Sequence, residues 1–326
     1  MTLAPERVDR FRANLARVWP AVANTESKLG LAVSGGGDSL ALLLLAHAAL
    51  RGRVEAATVD HGLRPESAGE AAFVATCCRD LGVPHQVLRV TVGKGNLQDR
   101  ARAARYAALG EWCEERGLAA LATAHQLDDQ VETLLMRVNR GSGLSGLAAI
   151  RAVQSLPDVP VPLVRPLLGW RRAELACLVA DMGWEAVDDP SNHSDAFDRV
   201  RVRKALATAD WLDPENIARS AALLGEADDA LNWAVGQEVA QFVRRTSEQA
   251  RYVALASGAP ALIRAEAIRS IYRGFGHSLD RGAAADIVRR LVSGQSGNVA
   301  GLQFGVTDEG GERVWTFRPE NPRRTG

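Results

Sequence analysis

The chain has 326 residues, of which 47% are hydrophobic and 24% charged, a composition typical of globular proteins. At about 150 residues per domain, this length predicts roughly two domains. Lysine plus arginine and aspartate plus glutamate both number 39, so the formal net charge of 0 excludes a basic field over the whole molecule, and a nucleic-acid partner would have to be bound by local basic patches.

The sequence contains neither a membrane span nor a cysteine pattern typical of metal sites. No run approaches the roughly 18 apolar residues that a span requires. The first residues, MTLAPERVDRF, carry charges where a signal peptide would be apolar. None of the four cysteines, at positions 77, 78, 113 and 177, stands in a C-x-x-C pair. We therefore expect a cytoplasmic protein that does not contact membranes and whose thiols are reduced and packed.

The first two hundred residues alternate short apolar runs with longer Ala- and Leu-rich amphipathic stretches. The predicted strands cover residues 29–34, 54–60, 85–90 and 118–124. The predicted helices cover residues 40–50, 68–81, 97–116, 128–139 and 170–184, and the proline-rich segment 156–166 is expected to cross the surface. This alternation is typical of βαβ units, so we predict an α/β fold with a doubly wound parallel sheet. In such a sheet, ligands bind beyond the carboxyl ends of the strands.

From about residue 206 the sequence changes to helices with unevenly distributed charge. Residues 244–290 contain nine arginines against four acidic residues. Glycine-rich turns separate short β-rich runs over residues 298–319, which predicts a terminal hairpin. We therefore predict that the sheet lies in a first domain over residues 1–205, followed by a second, smaller and mostly helical domain over residues 206–326.

The first predicted strand runs into a glycine-rich turn, Ser34-Gly-Gly-Gly-Asp38-Ser39, and then into a helix. Glycines let backbone N–H groups converge, and a helix N-terminus carries partial positive charge, so the turn predicts an anion-binding loop. It is not a Walker A loop, because Gly-Lys-Ser/Thr is missing and an acid, Asp38, stands beside the anion. A divalent cation between the acid and a phosphate would explain this. The alternative is a plain turn capped by Asp38 and Ser39.

Three acids follow the fourth predicted strand, in the segment His125-Gln126-Leu127-Asp128-Asp129-Gln130-Val131-Glu132. Asp128 and Glu132 are four residues apart on one helix face, where like charges are mutually destabilising. No lysine or arginine stands three or four residues from any of the acids. Pairing within the helix therefore does not explain them, and we expect a metal or a cationic substrate as their partner. The alternative, that acids favour a helix N-terminus, fits Glu132 less well.

Six segments, in consistent order, resemble motifs of known families. The loop Ser-Gly-Gly-x-Asp-Ser resembles the pyrophosphate loop of the ATP pyrophosphatase (PP-loop) superfamily, whose members break ATP into AMP and pyrophosphate. The others resemble motifs of tRNA(Ile)-lysidine synthases and read DHGLRPES from residue 60, GNLQ and ARAARY from residues 95 and 101, AHQLDDQVET from 124, RGSGLSGL from 140 and RVRVR from 199. Two departures stand at Gln126, where the family has a second histidine, and at Val200, where it usually has asparagine.

The resemblance implies a ligase that uses ATP and Mg²⁺, with L-lysine and a tRNA(Ile) bearing the anticodon CAU as partners. ATP would adenylate the wobble cytidine, and the lysine ε-amine would then displace AMP. The residues that match the motifs divide into four expected roles. The catalytic residues are Asp38, His125, Asp128, Asp129 and Glu132, and Mg²⁺ is expected at Asp38 and Asp128. The ATP-binding residues are Ser34, Gly35, Gly36, Gly37, Asp38, Ser39, His61, Arg64 and Arg105. The candidate tRNA-binding residues are Arg102, Arg140, Arg199, Arg201, Arg203, Arg244, Arg245 and Arg251.

Four points stay open from the sequence. A tRNA 2-thiocytidine synthetase shares the loop but normally carries cysteines for an iron–sulfur cluster. A non-catalytic nucleotide- or RNA-binding protein of the same fold would not need so many acids around ATP. The arginines of residues 199–203 are either phosphate contacts or surface partners of Asp195 and Asp198. The second domain binds tRNA, serves as a scaffold or forms a homodimer.

Overall fold

The computed structural model of the chain describes residues 3–62, 67–91, 97–157, 159–187 and 198–320. The chain divides into two units, Met1–Gly225 and Glu226–Gly326. The division falls within a long helix, α9, that covers Pro214–Phe242. It lies 20 residues after the boundary at 205 that composition predicts, because the change in charge pattern precedes the change in packing.

The first unit contains a six-stranded sheet. Its strands are β1 (Leu29–Ala32), β2 (Val54–Asp60), β3 (His85–Arg89), β4 (Ala120–Ala122), β5 (Val153–Leu156) and β6 (Val159–Val164). The spatial order is β3-β2-β1-β4-β6-β5, and only the β5–β6 pair is antiparallel. The chain proceeds outward from β1 to β3 and then returns to β4 on the other side of β1. The strand order therefore reverses between β1 and β4, which is where open α/β sheets bind ligands.

Helices cover both faces of this sheet. They are α1 (Pro5–Val18), α2 (Gly37–Ala49), α3 (Ser67–Leu81), α4 (Leu97–Glu115), α5 (Leu127–Asn139), α6 (Leu144–Leu147), α7 (Arg172–Asp181) and α8 (Asp198–Thr208). Leu29 and Leu31 of β1 pack with α1, α2, α3 and α7 in one apolar cluster. Gly30 faces the opposite side, where a Cβ atom would lie 2.9 Å from the Trp112 ring of α4. Because side chains alternate along a strand, the two faces are covered separately, and the predicted doubly wound α/β fold is confirmed.

The proline-rich segment is the element that the sequence analysis placed wrongly. Instead of crossing the surface, it forms β6, with Val159, Leu163 and Val164 buried. Within β6, only Leu163 and Val164 pair with the short strand β4. Pro160 and Pro162 are exposed and lie before that pairing, so their missing N–H groups remove no hydrogen bond from the β4 ladder.

The second unit combines helices with a small antiparallel sheet. Its helices are α10 (Ala261–Gly274) and α11 (Arg281–Val292), with the last part of α9. Its strands are β7 (Val243–Arg245), β8 (Ala250–Tyr252), β9 (Gly297–Val299), β10 (Leu302–Glu309) and β11 (Glu312–Pro319), in the order β7-β8-β11-β10-β9. The predicted hairpin is β10–β11, joined at Gly310 and Gly311, whose φ angles of 59° and 86° favour glycine. The three other strands have three residues each, too few for a periodic signal.

Neither unit shows membrane or disulfide chemistry among its described residues. None of the described helices has the length and apolar character to cross a bilayer. All four cysteines are free, and three of them are buried. Burial raises the pKa of both Cys78 and Cys113 to about 12, so these two thiols stay protonated and unreactive at neutral pH.

Candidate active site

The predicted anion-binding loop, Ser34–Ser39, which we name the phosphate loop, connects β1 to α2 at the point where the strand order reverses. The Ser39 hydroxyl accepts hydrogen bonds from the backbone N–H groups of Ser34 and Gly35, both at 3.2 Å, and donates to the Gly36 carbonyl at 2.8 Å. Gly35 has a φ of 92°, and a Cβ atom there would lie 3.2 Å from the Val187 side chain. Ser39 also accepts from the Ser34 hydroxyl at 3.3 Å, so it holds the loop in shape, and the later N–H groups of the loop are the donors suited to an anion.

Asp38 lies in the first turn of α2 and faces the acids at the start of α5. Burial, and then the charge of Asp129, raise the pKa of the Asp38 carboxyl from 3.8 to about 6. Arg172 Nε lies 4.0 Å from its Oδ2, and the Gln126 side chain lowers the pKa of Asp38 in part. The phosphate loop and the acids of α5, some ninety residues apart in sequence, thus form one site.

Gln126, the departure from the family motif, begins α5. It is fully buried, and its side-chain oxygen accepts a hydrogen bond from the Asp128 backbone N–H. The Asp129 carboxylate accepts in turn from the Gln126 backbone N–H at 3.1 Å. These reciprocal bonds form a capping box. The amide therefore caps the helix that carries all three acids.

Arginines from α7 and α8 pair with the acids of α5. Arg171 Nη2 lies 3.0 Å from Asp128 Oδ1, and the Arg172 backbone N–H donates to Asp128 Oδ2 at 2.8 Å. Arg172 Nη2 also lies 3.5 Å from Asp129 Oδ1. We name Asp38, Asp128, Asp129 and Glu132 the carboxylate cluster. Among the described residues, no group of three His, Cys, Asp or Glu side chains is arranged to hold a metal.

Glu132 is the most deeply buried member of the carboxylate cluster, at 1% exposure. Arg203 Nε lies 2.8 Å, Arg172 Nη2 3.3 Å and Arg199 Nε 3.6 Å from its carboxylate. Arginines of other helices are therefore partners of these acids that the sequence analysis did not foresee, and the expected metal or cationic substrate stays a prediction. Their partners stand 40 to 71 residues away in sequence, so spacing within α5 could not reveal them.

His125 follows β4 and lies in a different charge environment. Its Nδ1 atom is 3.0 Å from the Thr123 hydroxyl and 3.3 Å from Arg165 Nε. Burial, and then the charges of Arg165, Arg105, Arg102 and Arg199, lower the pKa of His125 to about 3. Its imidazole is therefore neutral at pH 7.

The guanidinium groups of Arg102 and Arg105 both pack on the Tyr106 ring, at 5.0 and 5.2 Å from its centroid. Tyr106 itself is buried. Within the described part of the chain neither arginine forms an ion pair with an acid. Arg165, 3% exposed, donates to the Arg151 carbonyl and to Gln154 Oε1, the latter at 3.0 Å. We name Arg102, Arg105 and Arg165 the arginine cluster, in which His125 lies.

The other sequence-predicted residues lie at the margins of this site or elsewhere. His61 is near enough to Arg105 for that charge, after burial, to lower its pKa. Arg64 lies outside the described residues. Arg140 pairs with Asp198 at 2.8 Å, and Arg201 also pairs with Asp198, whereas Arg199 and Arg203 face Glu132.

In the second unit the three candidate arginines are exposed and have local partners. Arg244 donates to carbonyls at the end of α9, Arg245 packs on the Phe275 ring and Arg251 pairs with Glu309. In the first unit, Arg171 and Arg172 were missed by the sequence analysis. The sequence analysis also assigned no role to Arg165.

Comparisons with known proteins agree with the motifs. A family model described as a PP-loop domain matches residues 7–209. A tRNA(Ile)-lysidine synthase of Novosphingobium aromaticivorans is 44% identical over 310 residues, which are 94% of this chain and 92% of that protein. A tRNA(Ile)-lysidine synthase of Zymomonas mobilis is 42% identical over 308 residues, which are 91% and 90%.

Among solved structures, a U34-tRNA thiolase of Methanococcus maripaludis is similar with a TM-score of 0.56 and 18% identity. The likeness covers 67% of this chain and 79% of that one. At this identity the similarity concerns the fold, and it agrees with the parallel sheet and the loop after β1.

Proposed function

The chain belongs to the family of tRNA(Ile)-lysidine synthases, with a PP-loop domain over residues 7–209, and from this membership we propose how its residues divide the reaction. The chain is a ligase that uses ATP to form lysidine on tRNA(Ile). ATP adenylates the C2 oxygen of the wobble cytidine in the CAU anticodon, and pyrophosphate leaves. The ε-amine of L-lysine then attacks C2, the bond to the AMP oxygen breaks, and the amine loses a proton.

The observation that carries the proposal is the juxtaposition of Asp38 with Asp129 and Arg172. It joins a loop suited to bind pyrophosphate with acids suited to a cationic substrate. Ser34 and the N–H groups of the loop would bind the leaving pyrophosphate, with Ser39 holding the loop in shape. His61, Arg64 and Arg105 are proposed to contact the rest of ATP. A plain capped turn would not require four acids and four arginines beside it.

Mg²⁺ fits this site at Asp38. Mg²⁺ is usually bound through one or two carboxylates together with substrate phosphates, and Asp38 stands in the phosphate loop itself, with an arginine nitrogen, Arg172 Nε, only at 4.0 Å. Asp128 fits less well, because Arg171 and the Arg172 N–H engage both of its oxygens. When bound, the ion would neutralise charge on the departing pyrophosphate.

For lysine, Asp129 is the proposed proton acceptor. Only the neutral ε-amine attacks, so an ammonium group must first give up its proton. Burial raises the pKa of Asp129, which makes its carboxylate a better acceptor than an exposed one. Glu132, enclosed by three arginines, is proposed to hold α7 and α8 against α5.

The tRNA is proposed to contact arginines in both units. Arg102 is exposed beside the site, whereas Arg140 and Arg201 would first exchange Asp198 for a phosphate, and Arg199 and Arg203 would do so at Glu132. In the second unit Arg244, Arg245 and Arg251 are proposed to bind the tRNA backbone. Residues 1–205 would then be the catalytic domain, and residues 206–326 the tRNA-binding domain.

The proposal is tested by AMP release from purified protein with Mg²⁺ and ATP. We expect AMP only when both L-lysine and a tRNA(Ile) transcript with a CAU anticodon are present. The matched control is an initiator tRNA(Met) transcript, which carries the same anticodon in a different body. AMP release that does not depend on lysine, or that needs a sulfur donor instead, would contradict the proposal.

A further inference from the structure

The hydrogen bonds at His125 decide which ring nitrogen carries the proton. An arginine Nε always carries hydrogen and has no lone pair to offer. Because Arg165 Nε–H points at Nδ1 of His125 at 3.3 Å, that nitrogen must be an acceptor. The Thr123 hydroxyl, 3.0 Å from the same nitrogen, is then a second donor. In a neutral ring the proton therefore lies on Nε2.

Arg165 is itself fixed in place, so it imposes this arrangement on the histidine. It is buried, and it donates through its two other nitrogens to the Arg151 carbonyl and to Gln154 Oε1. Its position is thereby set by groups on β5 and just before it, independently of His125. The guanidinium cannot rotate its Nε–H away from His125 Nδ1 without breaking these two hydrogen bonds.

The other ring nitrogen, Nε2, has no hydrogen-bond partner among the described residues, and the ring lies among positive charges. His125 is only partly buried. The charges that act most strongly on the ring are those of Arg165, Arg105, Arg102 and Arg199. A ligand atom that accepts from Nε2–H in such surroundings is favoured if it carries negative charge.

We propose that Arg165 is a positioning residue that fixes His125 as the Nε2–H tautomer, and that His125 donates this hydrogen to a phosphate oxygen of the bound substrate. This inference rests on the proposed function, because ATP and the tRNA backbone are the two sources of phosphate. It assigns His125 the role of a neutral donor. A general base at this position would need its lone pair, not a hydrogen, on Nε2.

The low pKa of His125 supports a donor that stays neutral. Burial and the four arginines hold this pKa at about 3, so the ring is neutral at pH 7. Protonation would place a hydrogen on Nδ1 directly against the Arg165 Nε–H. The same contact that selects the tautomer therefore opposes the charged form.

The tautomer is measured directly by NMR on the full chain labelled with ¹⁵N-histidine. His125→Gln identifies the signals of His125 among the six histidines. Long-range ¹H–¹⁵N couplings distinguish the two tautomers, and we expect Nε2–H at pH 7. An Nδ1–H tautomer or an imidazolium would overturn the proposal.

Two additions then identify the phosphate. We expect Nε2 of His125 to shift with α,β-methylene-ATP if the oxygen belongs to ATP, or with a synthetic anticodon stem-loop RNA if it belongs to the tRNA backbone. Either shift supports the proposal. If both compounds bind and neither moves Nε2, the donor role is wrong. Lysidine formation is not part of this readout, so the proposal can fail while the enzymatic function stands.

Variants separate positioning from a general structural role. Arg165→Lys lacks the Nε–H, and we expect it to give a mixture of the two tautomers. Thr123→Val is the matched control, because it removes the hydroxyl but keeps the Arg165 donor, so the Nε2–H tautomer should persist. Should Arg165→Lys fail to fold, the tautomers of the wild type and Thr123→Val still decide the matter. A switch to Nδ1–H in Thr123→Val would contradict the assignment to Arg165.

Kinetics provide an independent readout of the donor. Glutamine offers an N–H donor but no base, whereas phenylalanine offers neither. We expect His125→Phe to raise the KM for the phosphate source about tenfold more than His125→Gln does, which is the loss of one hydrogen bond to a charged group. Equal and complete loss of kcat in both variants would indicate a base and overturn the donor role.

Discussion

The carboxylate cluster follows β1 and β4 and the arginine cluster follows β3 and β6, and the charges of the two clusters are balanced differently. Asp128, Asp129 and Glu132 each lie within 3.5 Å of an arginine nitrogen. In the described part of the chain, Arg102 and Arg105 have only the Tyr106 ring. A cationic ligand at the carboxylate cluster must therefore compete with arginines that already pair with the acids. An anionic ligand at Arg102 or Arg105 would break no ion pair among the described residues.

This difference has a consequence for the order of events. In the proposed reaction, phosphate groups of ATP would meet Arg105, which forms no ion pair among the described residues. Lysine would arrive at acids that already pair with Arg172, and would have to displace or share that arginine. The proposal therefore favours binding of the nucleotide before lysine.

Asp38 stands apart from both patterns, and changing it should have the largest effect. Asp38→Asn removes the carboxylate of the cluster that lies farthest from its arginine, at 4.0 Å from Arg172 Nε, and we expect adenylation to fall by about 10²–10³-fold, as when a group that stabilises developing charge is lost. Adenylation is measured as lysine-dependent AMP release, and tRNA affinity by filter binding. Asp210→Asn, an exposed acid of the same unit, is the control. An equal loss of tRNA affinity in Asp38→Asn would refute its assignment to ATP.

Removing Glu132, the most buried acid, tests whether its ion pairs with three arginines stabilise the fold. Glu132→Gln leaves Arg172, Arg199 and Arg203 without their shared anion, and we expect a loss of about 3 kcal/mol in the free energy of unfolding. The measurement is urea denaturation. Asp198→Asn is the matched control, since Asp198 also pairs with two arginines but on the surface, where such pairs contribute below about 1 kcal/mol. Similar small losses in both variants would show that Glu132 is not an anchor.

The exposed arginines of the second unit are intermediate between the two clusters, because they have local partners but remain accessible to a ligand. Changing Arg244, Arg245 and Arg251 together to Gln should weaken tRNA binding and flatten its salt dependence, by a slope of about 0.7–0.9 for each phosphate that is no longer neutralised. Affinity for ATP should not change. The measurement is tRNA binding between low and moderate salt. An unaltered slope would place the tRNA-binding surface on other residues.

Gln126 lies in sequence between His125, in the arginine cluster, and Asp128, in the carboxylate cluster. Substitution of Gln126 should have the smallest effect of the four. Gln126→Ala removes the cap of α5 and should cost about 1 kcal/mol of unfolding free energy. Gln126→Ser, which can cap through its hydroxyl, should recover much of this in the same thermal or urea unfolding measurement. If both variants lose equally, the fully buried amide acts through packing and not through its hydrogen bonds.

The sequence predicts the parts of this molecule that depend on neighbouring residues. The strand β2, the loop at Ser34–Ser39 and the helix α5 follow from periodicity, glycines and caps, all of which are local. The family resemblance adds the order of the motifs, which the comparisons confirm.

The remainder depends on contacts between distant residues. Arg172 and Arg203 reach Glu132 across 40 and 71 positions, and Arg165 reaches His125 across 40. Two prolines make the sequence of β6 look like a loop. They are tolerated because only Leu163 and Val164 of that strand pair with β4, which the sequence alone does not reveal. The departure at Gln126 can be seen in the sequence, but its capping role depends on the backbone of α5.

Incorporation of radiolabelled lysine tests the central claim most directly. The protein is incubated with ATP, Mg²⁺ and a tRNA(Ile) transcript with a CAU anticodon, beside a transcript whose wobble C is replaced by U. The account predicts that label is retained on the first transcript only, and that Asp38→Asn incorporates it about 10²–10³-fold more slowly. Label on both transcripts, or on neither while AMP is still released, would contradict lysidine formation at the wobble cytidine.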